Sequence, residues 1–344
     1  HLVHGGSRED EYGKLLSGVP YLQILKEGGG ILGTVEKTRN ATFDELYDKA
    51  WHALDEMMLY GVTALEAKSG YGLDLENEIK QLEVAKKINE IHPVRLVSTY
   101  MGAHAIPQDF KEDRKAYIQK VIYDMSIIKE KELASAVDVF CETGVFSIDE
   151  TRLILEKAKK LGFKVKLHAD EIDPLGGAGL GVELHATSVD HLMAISDEDI
   201  KLLSKSDTVA NLLPGTSFYL NKNYARARVM IEAGVALSIS GDYNPGSCPT
   251  ENFQFIMQLA SKKLKMTPVE VLNAVTINAA YHLGLSTSCG SLDIGKSADL
   301  VIMNAPNLNY LFYHYGINHT QDVFIQGKPV VINRQIVRKT YETH

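Results

Sequence analysis

Seven short apolar segments, each followed by polar residues and then by a helical stretch, constrain the fold of this 344-residue chain more than any other feature. Each segment is apolar on both faces where it begins, as a strand must be in a parallel sheet that helices cover. Strands that alternate with helices in this way predict a parallel α/β fold. The candidate strands are residues 61–70, 94–102, 137–144, 164–171, 188–192, 208–214 and 236–241.

Several helix boundaries between these strands are also readable. A Ser or Thr with Glu three positions later can form a capping box, in which each side chain accepts a hydrogen bond from the other residue's backbone N–H. Gly162, directly after Leu161, predicts the end of the helix that precedes the fourth strand. The predicted capping boxes are Thr42 with Glu45, Ser147 with Glu150 and Thr267 with Glu270.

Polar and ionisable side chains gather where nearly every strand ends. In a doubly wound sheet such residues collect at one switch point, whereas in a (β/α)8 barrel every strand contributes at its C-terminal end. The distribution therefore favours a TIM barrel. The residues concerned are Glu66, Lys68, Tyr71, His104, Glu142, His168, Asp170, Glu171, His191, Asp242 and Asn244.

The strand count and the C-terminal tail predict two domains. Seven strands are one fewer than a barrel needs, so we expect an eighth strand upstream of His1. From Gly290 onward, short β-rich segments with Gly-Lys turns predict a small β-sandwich appendage. We expect residues 1–285 to form a barrel without its first strand and residues 286–344 to form the C-terminal part of the β domain. The N-terminal part of that domain is also expected upstream.

Composition and charge exclude several classes of function. The chain is 45% hydrophobic and 23% charged, as soluble globular proteins are. Its net charge of −8 argues against a nucleic-acid partner, and charged residues interrupt every apolar run before it could cross a membrane. Three cysteines without paired spacing predict a reducing compartment, the cytoplasm. The sequence contains neither a GxxxxGK[S/T] phosphate-binding loop nor a serine nucleophile elbow.

Four residues at strand ends are candidates for metal chemistry. His168 can bind a divalent metal through a neutral imidazole, and Glu171, three positions later, can bend back and move protons. Asp242 can share the metal, or it can cap its own Pro-Gly turn. His191 can donate a hydrogen bond to a developing oxyanion, or it can be a core histidine beside Asp190.

Three further residues are candidates for substrate contact. Arg8 can bind a carboxylate through two parallel hydrogen bonds, or it can be a solvated surface cation. Tyr71 lies between glycines that let a loop approach a ligand, or it lies in an exposed turn. His104 follows the second strand and can contact a substrate, or, as for His191, it can be a core histidine.

The set His1, His168, His191 and Asp242 at successive strand ends resembles the metal site of the amidohydrolase superfamily. That superfamily has two histidines separated by one residue after its first strand, one histidine after each of the fifth and sixth, and an aspartate after the eighth. The resemblance implies that His1 is the second histidine of the pair and that the first lies two residues upstream. Residues 275–285 and 290–302 are similar to the segments in which the chain of superfamily members leaves the barrel and enters the small β domain again.

Five segments are similar to the imidazolonepropionase family within this superfamily: 1–9, 66–73, 102–107, 168–172 and 241–247. The resemblance implies one zinc or iron ion bound by His1, His168 and Asp242. It implies catalytic roles for Glu171, His191 and Asp242. The reaction it implies is hydrolysis of a cyclic amide, which converts 4-imidazolone-5-propanoate to N-formimidoyl-L-glutamate.

The same resemblance implies how this small anionic imidazolone is bound. Arg8 would pair with the propionate carboxylate. Superfamily members often form dimers, so we expect a cytoplasmic homodimer with no nucleic-acid or membrane partner. The residues implied to contact the ring or the opened product are Tyr71, His104, Glu171, Asn244, Gly246 and Ser247.

Three alternatives stay open at this point. A nucleobase deaminase of the same superfamily shares the metal set, although the residues around Arg8 and Tyr71 favour an anionic imidazolone. A ring amidase with two metal ions usually needs a bridging lysine after the fourth barrel strand, where this chain has Glu142. A non-catalytic barrel, retained as a scaffold, would bind no metal.

Overall fold

In the computed structural model, which describes residues 1–20, 23–24 and 27–337, the chain forms a parallel sheet of seven strands in sequence order. Each strand pairs in parallel with the next, so all seven end at the same rim. The predicted α/β fold and all seven predicted strands are confirmed. The strands are β1 (Ala64–Lys68), β2 (Arg95–Ala103), β3 (Ala136–Cys141), β4 (Lys164–Ala169), β5 (Ser188–His191), β6 (Val209–Leu212) and β7 (Leu237–Ile239).

Helices connect the strands and pack against the sheet. All three predicted capping boxes are present, and Gly162 has the left-handed φ of +78° that ends a helix after Leu161. The helices described, with one 3-10 turn at Gln108–Phe110, are α1 (Glu9–Leu16), α2 (Ile31–Asn40), α3 (Phe43–Leu59), α4 (Leu75–Ile91), α5 (Arg114–Glu130), α6 (Ile148–Lys160), α7 (Gly177–Glu183), α8 (Asp197–Leu203), α9 (Pro214–Tyr219), α10 (Ala227–Glu232), α11 (Phe253–Lys263), α12 (Pro268–Val275), α13 (Ile277–Leu283) and α14 (Leu308–Tyr313).

The sheet is open between its first and last strands. Within the described residues, β1 pairs only with β2 and β7 only with β6. A cavity of about 610 Å³ lies along this opening and is lined by β1, β7, α12 and α13. An eighth strand at this position would close the sheet into the predicted barrel.

The main core lies between the sheet and its helices. Val139, Leu167, Val189 and Leu212, from four consecutive strands, are completely buried. Helix α7 approaches β5 so closely that a Cβ added at Gly181 would lie 2.3 Å from Cγ1 of Val189. This close packing fixes the two strands that carry His168 and His191.

The C-terminal segment forms a four-stranded antiparallel sheet in the order β11-β10-β9-β8. Residues 326–327 and 333–334 have positive φ, as two-residue type I′ hairpin turns require. The predicted β-rich tail is therefore confirmed, but helix α14 between β8 and β9 was not predicted. The strands are β8 (Leu300–Met303), β9 (Thr320–Ile325), β10 (Lys328–Ile332) and β11 (Gln335–Ile336).

The small sheet shares a core with the large one. Val323 and Val331 pack in the same cluster as Leu54 of α3 and Ala67 of β1. The predicted domain boundary at residue 285 stays a prediction, and residues 338–344 of the second domain lie outside the described residues. None of the helices described has the length and apolar character needed to cross a membrane.

The close approach of α7 to β5 predicts the effect of enlarging Gly181. We expect Gly181→Ala to lower the free energy of unfolding by about 1–3 kcal/mol, because the added methyl overlaps Val189. Gly13→Ala in α1 is the matched control, since a Cβ at Gly13 meets no atom within 4 Å. That control should be neutral or stabilising by up to about 1 kcal/mol. Urea unfolding curves measure both, and equal effects would contradict the prediction.

Candidate active site

The rim at the C-terminal ends of the strands gathers the ionisable residues that follow them. The parallel register sets Ala169, next to His168, beside His191 at the end of β5. In parallel α/β folds, ligands bind at this rim because strand ends and loops converge there. The rim is therefore the place to look for a site.

Four buried histidine rings form a continuous cluster at the rim. His1 stacks on His104 with ring centroids 4.5 Å apart, and the rings of His1 and His168 are 6.2 Å apart. The ring of His168 lies 5.0 Å from that of His191. This proximity joins residues from the start of the chain and from β2, β4 and β5.

Three of these rings have a defined tautomer. Nδ1 of His1 donates to the carbonyl oxygen of Ser69 at 2.6 Å, and Nδ1 of His104 donates to another backbone carbonyl at 2.9 Å. Nδ1 of His168 donates to Oδ1 of Asp138 at 3.1 Å. Because these oxygens only accept hydrogen bonds, Nδ1 carries the proton in each neutral ring and Nε2 presents a lone pair.

Asp242 follows β7 and has a φ of +55°, in the left-handed region that residues with a side chain rarely adopt. Its Oδ2 accepts hydrogen bonds from Oγ1 of Thr216 at 2.5 Å and from Oγ of Ser247 at 3.2 Å. Burial alone would raise the pKa of Asp242, but nearby His191 and the hydrogen bond from Thr216 lower it overall. The carboxyl group is therefore ionised at neutral pH.

The nitrogen and oxygen donors at the rim are of the chemical types that bind a metal ion. Nδ1 of His191 is buried and has no hydrogen-bond partner among the residues described. The lone pairs of His1 and His168 and the carboxylate of Asp242 are the donor types that zinc and iron bind. The site thus offers imidazole and carboxylate ligands whose other atoms are already hydrogen-bonded.

A second group of potential ligands lies behind His168. Atoms of Asp138, His168 and Asp190 are within 4.8 Å of one another. The ammonium of Lys68 already contacts Asp138 and lies 3.1 Å from Asp190. Burial alone would lower the pKa of Lys68, but the two carboxylates raise it well above its ordinary value. We infer that Asp138 orients His168, as carboxylates commonly do for metal-binding histidines, and that Lys68 is the cation of this group.

A further buried ion pair lies inside the sheet. Nζ of Lys166 is 2.9 Å from Oε1 of Glu66, and Nε2 of His282 is 3.5 Å from Oε2 of Glu66. The ring of His282 also hydrogen-bonds Oγ of Ser188 at 3.2 Å and Oγ of Ser238 at 3.1 Å. Burial, and then the charge of Lys166, lower the pKa of His282. This imidazole is therefore neutral at pH 7.

Glu171 lies in the loop after β4, where its side chain is 14% exposed and its Oε2 is 3.7 Å from Nε2 of His191. That separation exceeds a hydrogen bond, so the two groups do not pair directly and each can hydrogen-bond a ligand that lies beside them. His191 has a φ of +79°, which makes it a second left-handed residue at a strand end. Strained backbone of this kind is concentrated at functional sites.

The turn after β7 forms another wall of the site. Oδ1 of Asn244 accepts hydrogen bonds from the N–H groups of Gly246 and Ser247, each at 2.8 Å. Arg8 lies against this turn, because a Cβ at Gly246 would come within 2.2 Å of its Nη1. The Nε and Nη2 atoms of Arg8 are each 2.9 Å from Oε2 of Glu11. Nη1 is thus the nitrogen that faces the turn.

Tyr71 borders the histidine cluster. Its ring lies 5.0 Å from that of His1 and 5.3 Å from that of His104. Burial, and then the charge of Asp242, raise the pKa of Tyr71, whereas Arg8 opposes this shift. The phenol therefore stays protonated and can donate a hydrogen bond.

The structure brings the predicted site residues into two groups at the rim, one around the histidine rings and one around Asp242 and Arg8, while their roles stay predictions. Two supporting residues were missed: Asp138, whose only signal was a charge inside an apolar strand, and Thr216, which had none. Asp190, considered as the neighbour of His191, instead pairs with Lys68. The residues brought together are His1, Arg8, Tyr71, His104, His168, Glu171, His191, Asp242, Asn244, Gly246 and Ser247.

Known proteins resemble this chain in sequence and in fold. A sequence model of the amidohydrolase family matches residues 32–330. The chain is 54% identical over 330 residues to the imidazolonepropionase of Fusobacterium nucleatum, covering 96% of this chain and 80% of that protein. It is 54% identical over 328 residues to the imidazolonepropionase of Bacillus cytotoxicus, covering 95% of this chain and 78% of that protein.

Solved structures with the same fold are more distant in sequence. An adenosine deaminase from Xanthomonas campestris with bound zinc matches with a TM-score of 0.70 and 18% identity, over 92% of this chain and 76% of that one. The guanine deaminase of E. coli matches with a TM-score of 0.69 and 14% identity, over 87% of this chain and 77% of that one. At these identities the likeness shows the shared fold alone.

The hydrogen bond between Asp138 and His168 predicts an effect on metal binding. We expect Asp138→Asn to weaken metal affinity by about 10–100-fold, because a neutral amide is a weaker acceptor for Nδ1 of His168 than the carboxylate. Competition with a chromophoric chelator measures this. Asp55→Asn alters another buried aspartate–histidine pair, 3.2 Å from His92 before β2, and should leave metal affinity unchanged. Equal affinities in the two variants would show that Asp138 has no such role.

The lowered pKa of His282 predicts that stability falls in acid. Below about pH 6.5 the unfolded chain takes up a proton at this residue, whereas the folded chain does not until a lower pH. The free energy of unfolding therefore decreases as pH falls, by at most about 1.4 kcal/mol per pH unit from this group. We expect His282→Asn to flatten the decrease between about pH 7 and pH 5, measured by urea unfolding at each pH. An unchanged slope would contradict the assignment.

Proposed function

Because the chain belongs to the amidohydrolase family, and within it to the imidazolonepropionases, we propose that it hydrolyses 4-imidazolone-5-propanoate to N-formimidoyl-L-glutamate. It is a hydrolase that acts on a C–N bond of a small molecule. The observation that carries the proposal is the proximity of Arg8 and its turn to Asp242, beside Glu171 and His191. A cation for the substrate carboxylate thus lies near groups that can transfer protons.

Arg8 binds the propionate carboxylate of the substrate through Nη1. This nitrogen lies against Gly246, where only a residue without a side chain leaves room for the guanidinium of Arg8. An arginine is suited to this task because its guanidinium stays charged, and Nη1 is the nitrogen that Glu11 does not contact. Asn244 and Ser247, which fix the turn, then line the path of the substrate.

Tyr71 and His104 contact the imidazolone ring. The protonated phenol of Tyr71 donates a hydrogen bond to a ring heteroatom. Nε2 of His104 presents a lone pair, because its Nδ1 donates to a backbone carbonyl, and it accepts from a ring N–H. The two side chains thereby select a ring with both a donor and an acceptor edge.

Two residues share the proton transfers of the hydrolysis, and a third stabilises the oxyanion. Asp242, which is held ionised, accepts a proton from the attacking water as the water oxygen bonds to the ring carbonyl carbon. Glu171 passes a proton to the ring nitrogen, which leaves as the C–N bond breaks, and the proton taken up by Asp242 replaces the one that Glu171 has given. His191 donates a hydrogen bond to the oxyanion that develops on the carbonyl oxygen. One water is consumed, and both of its hydrogens remain in the opened product.

We assign a zinc or iron ion to the donor set of His1, His168 and Asp242. When bound, such an ion polarises the carbonyl and makes a water more acidic. The tautomers of His1 and His168, each with Nδ1 hydrogen-bonded, support this assignment. The bound zinc of the structurally similar adenosine deaminase is consistent with zinc.

We also propose that residues 1–285 and 286–344 form the two predicted domains. The remaining barrel strand and the other histidine of the pair would belong to the part of the relatives' length that this chain does not cover. The cavity between β1 and β7 supports this arrangement. So does the length of the Fusobacterium relative, of which this chain covers 80%.

A cytoplasmic homodimer completes the proposal. The three cysteines are free and buried, which suits a reducing compartment. The dimer is supported only by analogy with the superfamily. Light scattering coupled to size exclusion measures the oligomeric state directly.

The proposed function is tested by the absorbance loss of freshly prepared imidazolone propionate together with metal analysis. We expect ring opening that depends on about one metal ion per chain. Release of ammonia from cytosine or guanine, without ring opening of the imidazolone, would instead assign the chain as a nucleobase deaminase. Absence of both metal and turnover would favour the scaffold alternative.

Glu171→Gln tests the proton-transfer step. The amide cannot carry a proton, so we expect kcat to fall about 100-fold or more while the metal content stays at the parent value. Asp173→Asn is the matched control, because Asp173 is an exposed carboxylate in the same loop. An unchanged kcat in Glu171→Gln would remove this residue from the mechanism.

A further inference from the structure

Two buried carboxylates hold the backbone of two loops at the rim. Glu142 follows β3 and Glu78 lies in the first turn of α4, and each is only 1% exposed. Their hydrogen-bond donors include successive backbone N–H groups of a loop that carries a site residue. The two loops carry Glu171 and Tyr71, respectively.

Glu142 holds the loop after β4. Its Oε2 accepts hydrogen bonds from the N–H groups of Glu171 at 3.1 Å and Ile172 at 2.9 Å. Its Oε1 accepts from the N–H groups of Asp173 at 3.3 Å and Thr143 at 2.8 Å. Three consecutive N–H groups of the loop thus converge on one carboxylate, so the peptides around Glu171 cannot rotate without breaking these bonds.

Glu78 holds the loop after β1 in the same way. Its Oε2 accepts a hydrogen bond from the N–H of Gly70 at 3.1 Å, and its Oε1 accepts from those of Gly72 at 2.8 Å and Leu73 at 2.9 Å. These donors lie on both sides of Tyr71. The loop is also tight, because a Cβ at Gly72 would lie 2.4 Å from the backbone nitrogen of Glu78.

A buried charge is an unusually strong means of shaping a loop. Removing a carboxylate from water is unfavourable unless several donors replace the water. Hydrogen bonds from N–H groups to an ionised oxygen are roughly twice as strong as those between neutral groups. Strong restraint of this kind is valuable where a side chain must be held within a fraction of an ångström of a reacting or bound molecule.

We propose that Glu142 and Glu78 are positioning residues with separate tasks: Glu142 fixes Glu171 for proton transfer, and Glu78 fixes Tyr71 for substrate binding. Neither carboxylate touches the substrate. The inference rests on the proposed function, because it uses the roles assigned there to Glu171 and Tyr71.

The variants Glu142→Gln and Glu78→Gln test this division in the full chain, and each is the control for the other. Each amide keeps one acceptor oxygen, but its NH₂ group faces a backbone N–H. The hydrogen bonds to one of the two oxygens are therefore lost. We expect Glu142→Gln to lower kcat by about 10–100-fold with KM within about 3-fold of the parent. We expect Glu78→Gln to raise KM by about 10-fold with kcat nearly unchanged.

Hydrogen–deuterium exchange supplies a readout that does not depend on turnover. We expect the amides of residues 171–173 to exchange faster in Glu142→Gln and those of residues 70, 72 and 73 to exchange faster in Glu78→Gln, each without change at the other loop. Unchanged local exchange overturns the anchoring and leaves the proposed function intact. If local exchange rises but the two variants do not differ in their effects on kcat and KM, the proposal that the two carboxylates have separate tasks is wrong. Failure of the parent to open the imidazolone ring is a failure of the proposed function, and the exchange data still decide whether the anchors exist.

Loss of folding in either variant would not end the test. Glu142→Asp and Glu78→Asp keep the charge but are one methylene shorter, so the carboxylate reaches fewer of the N–H groups. These Asp variants should give the same pattern of exchange and kinetics as the Gln variants, with a smaller loss of stability. A uniform rise in exchange across the whole chain, with equal effects on kcat and KM in both variants, would mean that the carboxylates serve stability alone.

Discussion

The ammonium of Lys68 connects three strands of the parallel sheet. It extends from β1 to contact Asp138 of β3 and Asp190 of β5, so side chains from alternate strands meet at one point. Inward-pointing residues of alternate strands form such layers in barrels. A buried ion pair that loses one partner is destabilised by about 3–5 kcal/mol, so this group strongly favours a single register of the strands. The ring of His168 takes its orientation from the same group, through Asp138.

The site itself is built from backbone that is locally unfavourable. Asp242 and His191 both have positive φ directly at the ends of strands. Such conformations are unfavourable by about 1–3 kcal/mol each and persist only where the surrounding structure determines them. Hydrogen bonds from Thr216 and Ser247 stabilise this conformation at Asp242. At His191 it is stabilised by the pairing of β5 with β4 and β6. The rigid sheet thus holds these side chains in orientations that would be unstable in an isolated loop.

The fold and the main site residues could be predicted from the sequence because their signals are local. Apolar runs, capping boxes and a polar residue after each strand can be read without knowing which strands are neighbours. The supporting contacts could not be read in this way. The distance from Asp138 to His168 depends on the register of β3 against β4, and that of Thr216 to Asp242 depends on how the loops after β6 and β7 pack. Helix α14 was missed because three of its six residues are aromatic, a residue type that is also typical of strands.

The donor residues at the rim are distributed along almost the entire chain, from His1 through His168 to Asp242. No two of them are close in sequence, so a partly folded chain presents only isolated imidazoles and carboxylates. Contacts of such long range form late, because the intervening loops must first be closed. Under the proposed assignment of these donors, binding of a metal ion would require a completely folded sheet, and a misfolded chain would bind no ion.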